Sequence, residues 1–286
     1  MKWSDFSKLI KLRLTFLVTF SASISFLIGS QVNGVIEWGN WVKLIIGGFL
    51  VTSAANTFNE IIEKDLDKLM RRTSDRPIPS GHMTTGQALV LGMMMAIFGT
   101  YLLGSLNLTA GFLSVFSILL YAFMYTPLKR KSAVAVFVGA IPGALPPLIG
   151  YVAAHPKIDE IALILFAIQF VWQFPHFWAI AWVLDDDYKL AGFRLLPSGR
   201  RDMVSATFAF ASTVILLPVS LLPTYYGYGG YYVGGVSLII SLVFLYQGFM
   251  LMKNRDIKSA KSLMYGSFLY LPVVQLMFLF DFLGKK

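Results

Sequence analysis

Asn59 to Gly81 reads NEIIEKDLDKLMRRTSDRPIPSG, the densest run of charge in a chain that is otherwise 56% apolar. Carboxylates lead and arginines follow. A helix from Asn59 to Arg71 puts Asn59, Glu63 and Asp67 at i, i+4 and i+8 on one face, with Glu60 and Asp65 on its flanks. Acids crowded on one turn repel each other unless a cation lies between them. Mg2+ suits such a set, because it takes hard oxygen ligands and shares its shell with substrate phosphates. Arg71, Arg72 and Arg76 follow within a few turns, where guanidinium forks can hold phosphate oxygens. The competing reading is a solvated, salt-bridged loop, and charge alone leaves both open. In RPIPSG, Arg76 to Gly81, two prolines either pin a shaped turn or merely stop a helix.

Working outward, only 14% of the 286 residues are charged, 24 are phenylalanine and none is cysteine. That composition is a membrane protein's, and it excludes disulfides, haem–thiolate bonds and thiol chemistry. Apolar runs long enough to span a bilayer fall roughly at 14–30, 41–60, 87–105, 109–126, 134–153, 160–184, 204–223, 231–252 and 263–283. The expected fold is therefore all-α and polytopic, with nine transmembrane helices in a single domain over 1–286.

The formal charge of +9 could suggest nucleic acid, but its distribution points to a membrane. Of 24 Lys and Arg, 20 fall at the N-terminus or after even-numbered spans, leaving Lys43, Lys157, Lys285 and Lys286 on the other side. The positive-inside rule then places the N-terminus in the cytoplasm and the C-terminus outside. The first apolar run has a basic start, as a signal peptide does. It is long for one, and its removal would spoil the alternation, so we read it as a retained span.

Further clues lie at the helix ends and at membrane depth. Gly47-Gly48 and Ser53-Ala54-Ala55 permit close helix approach. Lys129, Arg130 and Lys131 either face anionic lipid or complete a phosphate pocket. GAIPGALPPLIG, Gly139 to Gly150, predicts a broken helix bordering a cavity. Gln173 and His176 lie deep in the sixth run, where polar side chains default to a functional site. His176 either bonds a polar substrate or a carbonyl freed by Pro175, and the aromatic residues around it suit a flat ring system. His155, beside Pro156, reads as inert. The sixth run exits through DDDYKLAGFRLLPSGRRD, Asp185 to Asp202, a second acidic cluster four spans after the first. That spacing suggests two four-helix halves, helices 1–4 and 5–8, with a ninth added. Two such clusters on one cavity could clamp two metals on one diphosphate.

At these residues the sequence resembles the UbiA-type intramembrane prenyltransferases, across essentially the whole chain. Their motif NDxxDxxxD corresponds to Asn59, Glu60, Glu63 and Asp67, with Glu twice in place of Asp. FNEIIEKDLDKLMRRTSDRPIPSG, YTPLKRKS, WQFPHFWAIAW and DYKLAGFRLLP make it most similar to the protohaem IX farnesyltransferase, or haem O synthase, branch. Departures are Lys189 where DxxxD would put its second acid, Phe193-Arg194-Leu195-Leu196-Pro197 for I-P-M-L-P, His82 for an arginine, and KLRLTF where a proline is usual.

The resemblance implies an Mg2+-dependent enzyme of the bacterial cytoplasmic membrane that joins farnesyl diphosphate to haem b, its active site facing the cytoplasm, with a haem A synthase as a downstream partner. It implies catalytic roles for Asn59, Glu63, Asp67 and Asp187, and metal binding by these with Glu60, Asp185 and Asp186. Diphosphate would meet Arg71, Arg72, Arg76, Lys129, Arg130 and Lys189, and haem would meet His176 and Gln173. Other readings are a sibling prenyltransferase for an aromatic or quinone precursor, a secondary transporter, and a haem-binding assembly factor. Acids gathered at helix exits on one side, rather than at the midplane, favour an interfacial enzyme over a transporter.

Overall fold

The computed structural model describes residues 2–283 and is an all-helical, multi-pass membrane protein. Among the described residues, nine helices are long and apolar enough to cross a bilayer. They are Leu12–Asn33, Trp38–Asp67, Thr85–Gly104, Leu108–Leu128, Ala135–Ala154, Glu160–Val183, Met203–Tyr225, Tyr231–Asn254 and Ile257–Phe282, called here the first to ninth spans. Each matches an apolar run of the sequence, as expected where hydrocarbon forces every backbone polar group to be satisfied within its own helix. Lys285 and Lys286 lie outside the described residues.

Side chains written just before the spans set where they begin. Thr84 accepts from the Gln87 amide while the Gln87 side chain accepts from the Thr84 amide, a reciprocal cap on the third span. Asn107, Asp159 and Asp202 cap the fourth, sixth and seventh spans by accepting the amides of Ala110, Ala162 and Ser205. A short helix, Trp3–Leu9, precedes the first span and turns one face inward through Leu9. It is tied to the loop after the second span by Lys8 Nζ to Asp75 Oδ2 at 2.8 Å and His82 Nδ1 to Asp5 Oδ1 at 3.2 Å.

Two sequence expectations change. The acidic helix stops at Asp67 rather than reaching Arg71, so Arg71, Arg72 and Arg76 ride on turns that fold back over it. The fifth span does not break: Ala135–Ala154 is one helix through Pro142, Pro146 and Pro147. Its neighbours supply what the prolines remove. Pro147 has no N–H for the Gly143 carbonyl, and Gln169 Nε2 donates to that oxygen at 2.7 Å instead. Glycines then let the partners close in. A Cβ on Gly150 would fall 2.0 Å from the Ala22 carbonyl oxygen, and one on Gly143 2.1 Å from Gln173 Oε1. Irregular sequence at this depth is thus accommodated by burial, and the fifth span is the most enclosed of the nine, with 72% of its apolar window buried.

Polar residues join the spans near mid-membrane. Ser21 Oγ donates to Gln169 Oε1 at 2.8 Å, and Gln275 Nε2 donates to Ser21 Oγ at 2.8 Å, linking the first, sixth and ninth spans. The fourth span carries one wide π-helical segment, Leu120–Tyr125, immediately before Thr126. Gly47 packs against Leu103 and Gly99 of the third span, whereas a Cβ on Gly48 would meet nothing within 4 Å.

Candidate active site

The second span delivers its acids in register. Asn59, Glu60, Glu63 and Asp67 are all buried, with relative exposures of 1%, 0%, 3% and 0%, because their helix continues past the apolar run under a cover of loops. Asp65, on the opposite side, is exposed and pairs with Lys68 at 3.5 Å, so the solvated, salt-bridged reading holds for Asp65 and, in the following loop, for Asp75 with Lys8.

Each buried acid meets a different part of the chain. Lys129, one residue past the fourth span, ion-pairs with Glu63 Oε1. Arg76 Nη1 lies 2.6 Å from Asp67 Oδ2. Lys11 Nζ donates to Asn59 Oδ1 at 2.7 Å, while Asn59 Nδ2 donates to Glu63 Oε2 at 2.9 Å and to Thr126 Oγ1 at 3.0 Å. Glu60 Oε1 accepts the Ile78 amide at 3.2 Å, which holds the RPIPSG turn against the helix. The prolines therefore shape a loop as well as stopping a helix.

Burial presses on the cations. It moves the Lys11 ammonium well below the ordinary lysine range, and the nearby Arg76 and Lys129 charges push in the same direction. Lys129 is also lowered, by burial first, with Glu63 opposing the shift. The Tyr188 phenol is raised by burial and so stays protonated through neutral pH.

The second cluster is built otherwise. The sixth span ends at Val183, Leu184 departs from helical geometry, and Asp185–Leu190 forms a new six-residue helix. Asp185 is buried between Lys189 Nζ at 2.7 Å and Arg201 Nε at 3.8 Å. Asp186 points into solvent with its oxygen 3.0 Å from Arg201 Nη1. Only Asp187 reaches the first cluster's loop, accepting the Arg71 amide at 2.8 Å and the Arg72 amide at 3.4 Å. The Arg194 amide donates to the Lys129 carbonyl at 3.3 Å, and Lys129 Nζ lies 5.2 Å from the Phe193 ring centroid. Both clusters thus converge on the loop and helix end carrying Arg71, Arg72 and Lys129.

The remaining candidates divide. Arg71, Arg72 and Arg130 are exposed, and among the described residues their side chains have no ion-pair partner. Lys131 and Arg194 are exposed as well. His176 Nδ1 lies 2.7 Å from Ser267 Oγ, with its ring stacked on Trp172 at 4.4 Å, so it does not bond the carbonyl freed by Pro175. Gln173 is buried, its Nε2 donating to the Ala140 carbonyl at 3.0 Å. His155 is engaged with Asn33 Oδ1 at 2.7 Å.

Sequence reasoning missed Lys11 and Thr126. Lys11 enters the sequence reading only as N-terminal charge and as the start of KLRLTF, yet its left-handed backbone, φ 48° and ψ 56°, turns the chain between the short helix and the first span beside Asn59. A lysine directly ahead of a span, on the membrane side that carries the acids, was the available signal.

Among the described residues, no three acidic or histidine side chains converge into a ready cation cage. The donor chemistry nevertheless fits a hard divalent ion. Asn59, Glu63 and Asp67 offer only oxygen toward it, and Asp67 Oδ1 is buried with no hydrogen-bond partner.

Comparison with known proteins follows this geometry. The UbiA prenyltransferase family matches residues 17–272. A protoheme IX farnesyltransferase of Cytophaga hutchinsonii is 45% identical over 282 residues, covering 98% of both chains. One from Flavobacterium psychrophilum is 41% identical over 283 residues, covering 98% of this chain and 94% of the relative. Among solved structures, a digeranylgeranylglyceryl phosphate synthase superposes with a TM-score of 0.81 at 20% identity, over 98% of each chain. A UbiA homolog from Archaeoglobus fulgidus, bound to GPP and Mg2+, gives 0.67 at 12% identity, over 96% of this chain and 99% of that one.

Proposed function

The chain belongs to the UbiA prenyltransferase family, and on that premise we propose that it transfers the farnesyl group of farnesyl diphosphate to a vinyl group of haem b, giving haem O. The observation that carries the acceptor is the near-complete alignment, at 45% identity, with a relative named for protohaem IX. The buried acid–cation cluster supports the donor, because an allylic diphosphate needs its leaving charge neutralised away from water.

In this reading the C1–O bond of farnesyl diphosphate breaks and its electron pair leaves with diphosphate. The vinyl π electrons form the new carbon–carbon bond to C1. The resulting cation beside the porphyrin takes up water and loses a proton, leaving a hydroxyl. Asn59, Glu63 and Asp67 would hold Mg2+, which when bound would supply Lewis-acid stabilisation for a diphosphate leaving group. Arg76 and Lys129 neutralise the same oxygens from the side, while Arg71 and Arg72, kept in place by Asp187 through their amides, close over it. Arg130 and Lys189 line the approach. Asp185 and Asp186 hold Arg201, which in turn donates to the Trp182 carbonyl and so fixes the end of the sixth span. Aromatic side chains around His176 receive the macrocycle, with Gln173 fixing the sixth span against the fifth.

The charge distribution supports a cytoplasmic N-terminus and a site opening to the cytoplasm, on the face that carries 20 of the 24 Lys and Arg. The same four-span interval between the acidic helix ends supports a single domain of two similar halves plus a ninth span. Purified protein given farnesyl diphosphate, Mg2+ and either haem b or 4-hydroxybenzoate tests the proposal by mass spectrometry. Haem gaining one hydrated farnesyl unit is the expected product, and prenylation of the benzoate alone overturns the acceptor assignment.

A further inference from the structure

The first cluster is neutralised from within. Three carboxylates, Glu60, Glu63 and Asp67, share one buried pocket with three cations, Lys11, Arg76 and Lys129. The ion pairs are themselves enclosed: side-chain exposures are 4% for Glu63 and 10% for Lys129, and 0% for Asp67 and 12% for Arg76. Lys129 occupies one oxygen of Glu63, and Asn59 Nδ2 occupies the other. Of the three side chains proposed to hold the metal, only Asp67 keeps a buried oxygen without a partner. A free divalent ion arriving here finds no net negative charge, both oxygens of Glu63 taken, and open oxygens only on Asp67 and, through Oε2, on Glu60.

Lys129 has somewhere to go. Lys129 is on a four-carbon stem at the end of its span, with Tyr125 and Phe193 rings 5.1 and 5.2 Å from its ammonium, so it can leave Glu63 while keeping its aliphatic stem packed. Diphosphate brings several negative charges, enough to draw Lys129 and Arg76 off the carboxylates.

We propose that Lys129 is a counter-ion guard: it occupies Glu63 until a diphosphate accepts it, so that the divalent cation and the diphosphate can bind tightly only together. This deepens the proposed prenyl transfer, on which it rests, by making Lys129 serve carboxylate and substrate in turn. It also makes Lys129 a specificity determinant, because monoanions and uncharged prenyl alcohols cannot release it.

The test reads binding rather than turnover. Mn2+, standing in for Mg2+, is equilibrated by dialysis against detergent-purified protein, and the Mn2+ retained with the protein is measured with and without inorganic pyrophosphate at matched free Mn2+. Wild-type protein is expected to bind Mn2+ weakly alone and at least about tenfold more tightly with pyrophosphate. In Lys129→Met, Mn2+ alone is expected to bind about tenfold more tightly than to wild type, and the gain from pyrophosphate to shrink. Lys129→Arg, which keeps the charge, restores weak binding and distinguishes a lost guard from a disturbed fold. Unchanged Mn2+ affinity in Lys129→Met, or wild-type affinity indifferent to pyrophosphate, overturns the inference. Haem farnesylation by the same preparation separates the two readings. No product with the Mn2+ pattern intact removes the enzyme assignment alone, and product with the pattern absent removes the guard alone.

Discussion

The two acidic clusters use similar residues in opposite ways. Asn59 to Asp67 sit on one uninterrupted helix, so their spacing is preserved as a single face, and two of their three cationic partners come from far along the chain, Lys11 and Lys129, while Arg76 folds back from the turns just after the helix. Asp185 to Asp187 begin a new six-residue helix, and Asp185 and Asp186 are satisfied locally by Lys189 and Arg201. Partners from afar bury a cluster and make it a junction of the fold. The second cluster is split instead: Asp185 is buried, Asp186 stays in solvent, and Asp187 reaches across to the loop.

Substitutions can break or sharpen that contrast. Asp67→Asn removes the charge opposite Arg76 and weakens a buried, unpartnered ligand oxygen, and haem farnesylation followed by mass spectrometry should fall by about 10²–10³-fold. Equal activity would mean the buried ridge is only structural. Asp187→Asn keeps the shape but loses the charge that two loop amides point to, so kcat/KM for farnesyl diphosphate should fall about tenfold, mostly through KM. Asp186→Ala removes an exposed, locally paired carboxylate and should change turnover by less than about twofold. A loss as large as that of Asp67→Asn would erase the distinction between the clusters.

The smallest effect concerns Asp202, which ends the second cluster's loop. The Ser205 amide, the Ser198 hydroxyl and Arg200 hold its carboxyl down to about 2. A depressed carboxyl stabilises the fold above the ordinary value of about 3.9, and this contribution fades as pH falls through its own value. The difference in thermal midpoint between wild type and Asp202→Asn should therefore persist from neutral pH to about 4 and shrink towards 2.

The spans and the first ridge were legible because both are local patterns. A bilayer demands about 20 apolar residues per crossing, and a helix puts every fourth residue on one side. The second cluster was legible as a run of acids, but not which of them reaches the first, because Leu184 interrupts the helix and resets the phase from which a DxxxD spacing would be read. Lys11 was hidden for the same kind of reason: its approach to Asn59 depends on one left-handed residue 48 positions away in sequence. The prolines of the fifth span misled because their penalty is set by neighbours, and Gln169 and the facing glycines are written elsewhere in the chain.

The wide turn at Leu120–Tyr125 has a consequence for how such a site tolerates change. A π segment holds one residue more than an α turn of the same rise, so everything after it is rotated by about 100° relative to an even helix. Thr126 and Lys129 owe their aim at Asn59 and Glu63 to that surplus residue. Shortening the segment by one residue would tidy the helix and swing both side chains a quarter-circle off target, so here regularity and chemistry are mutually exclusive.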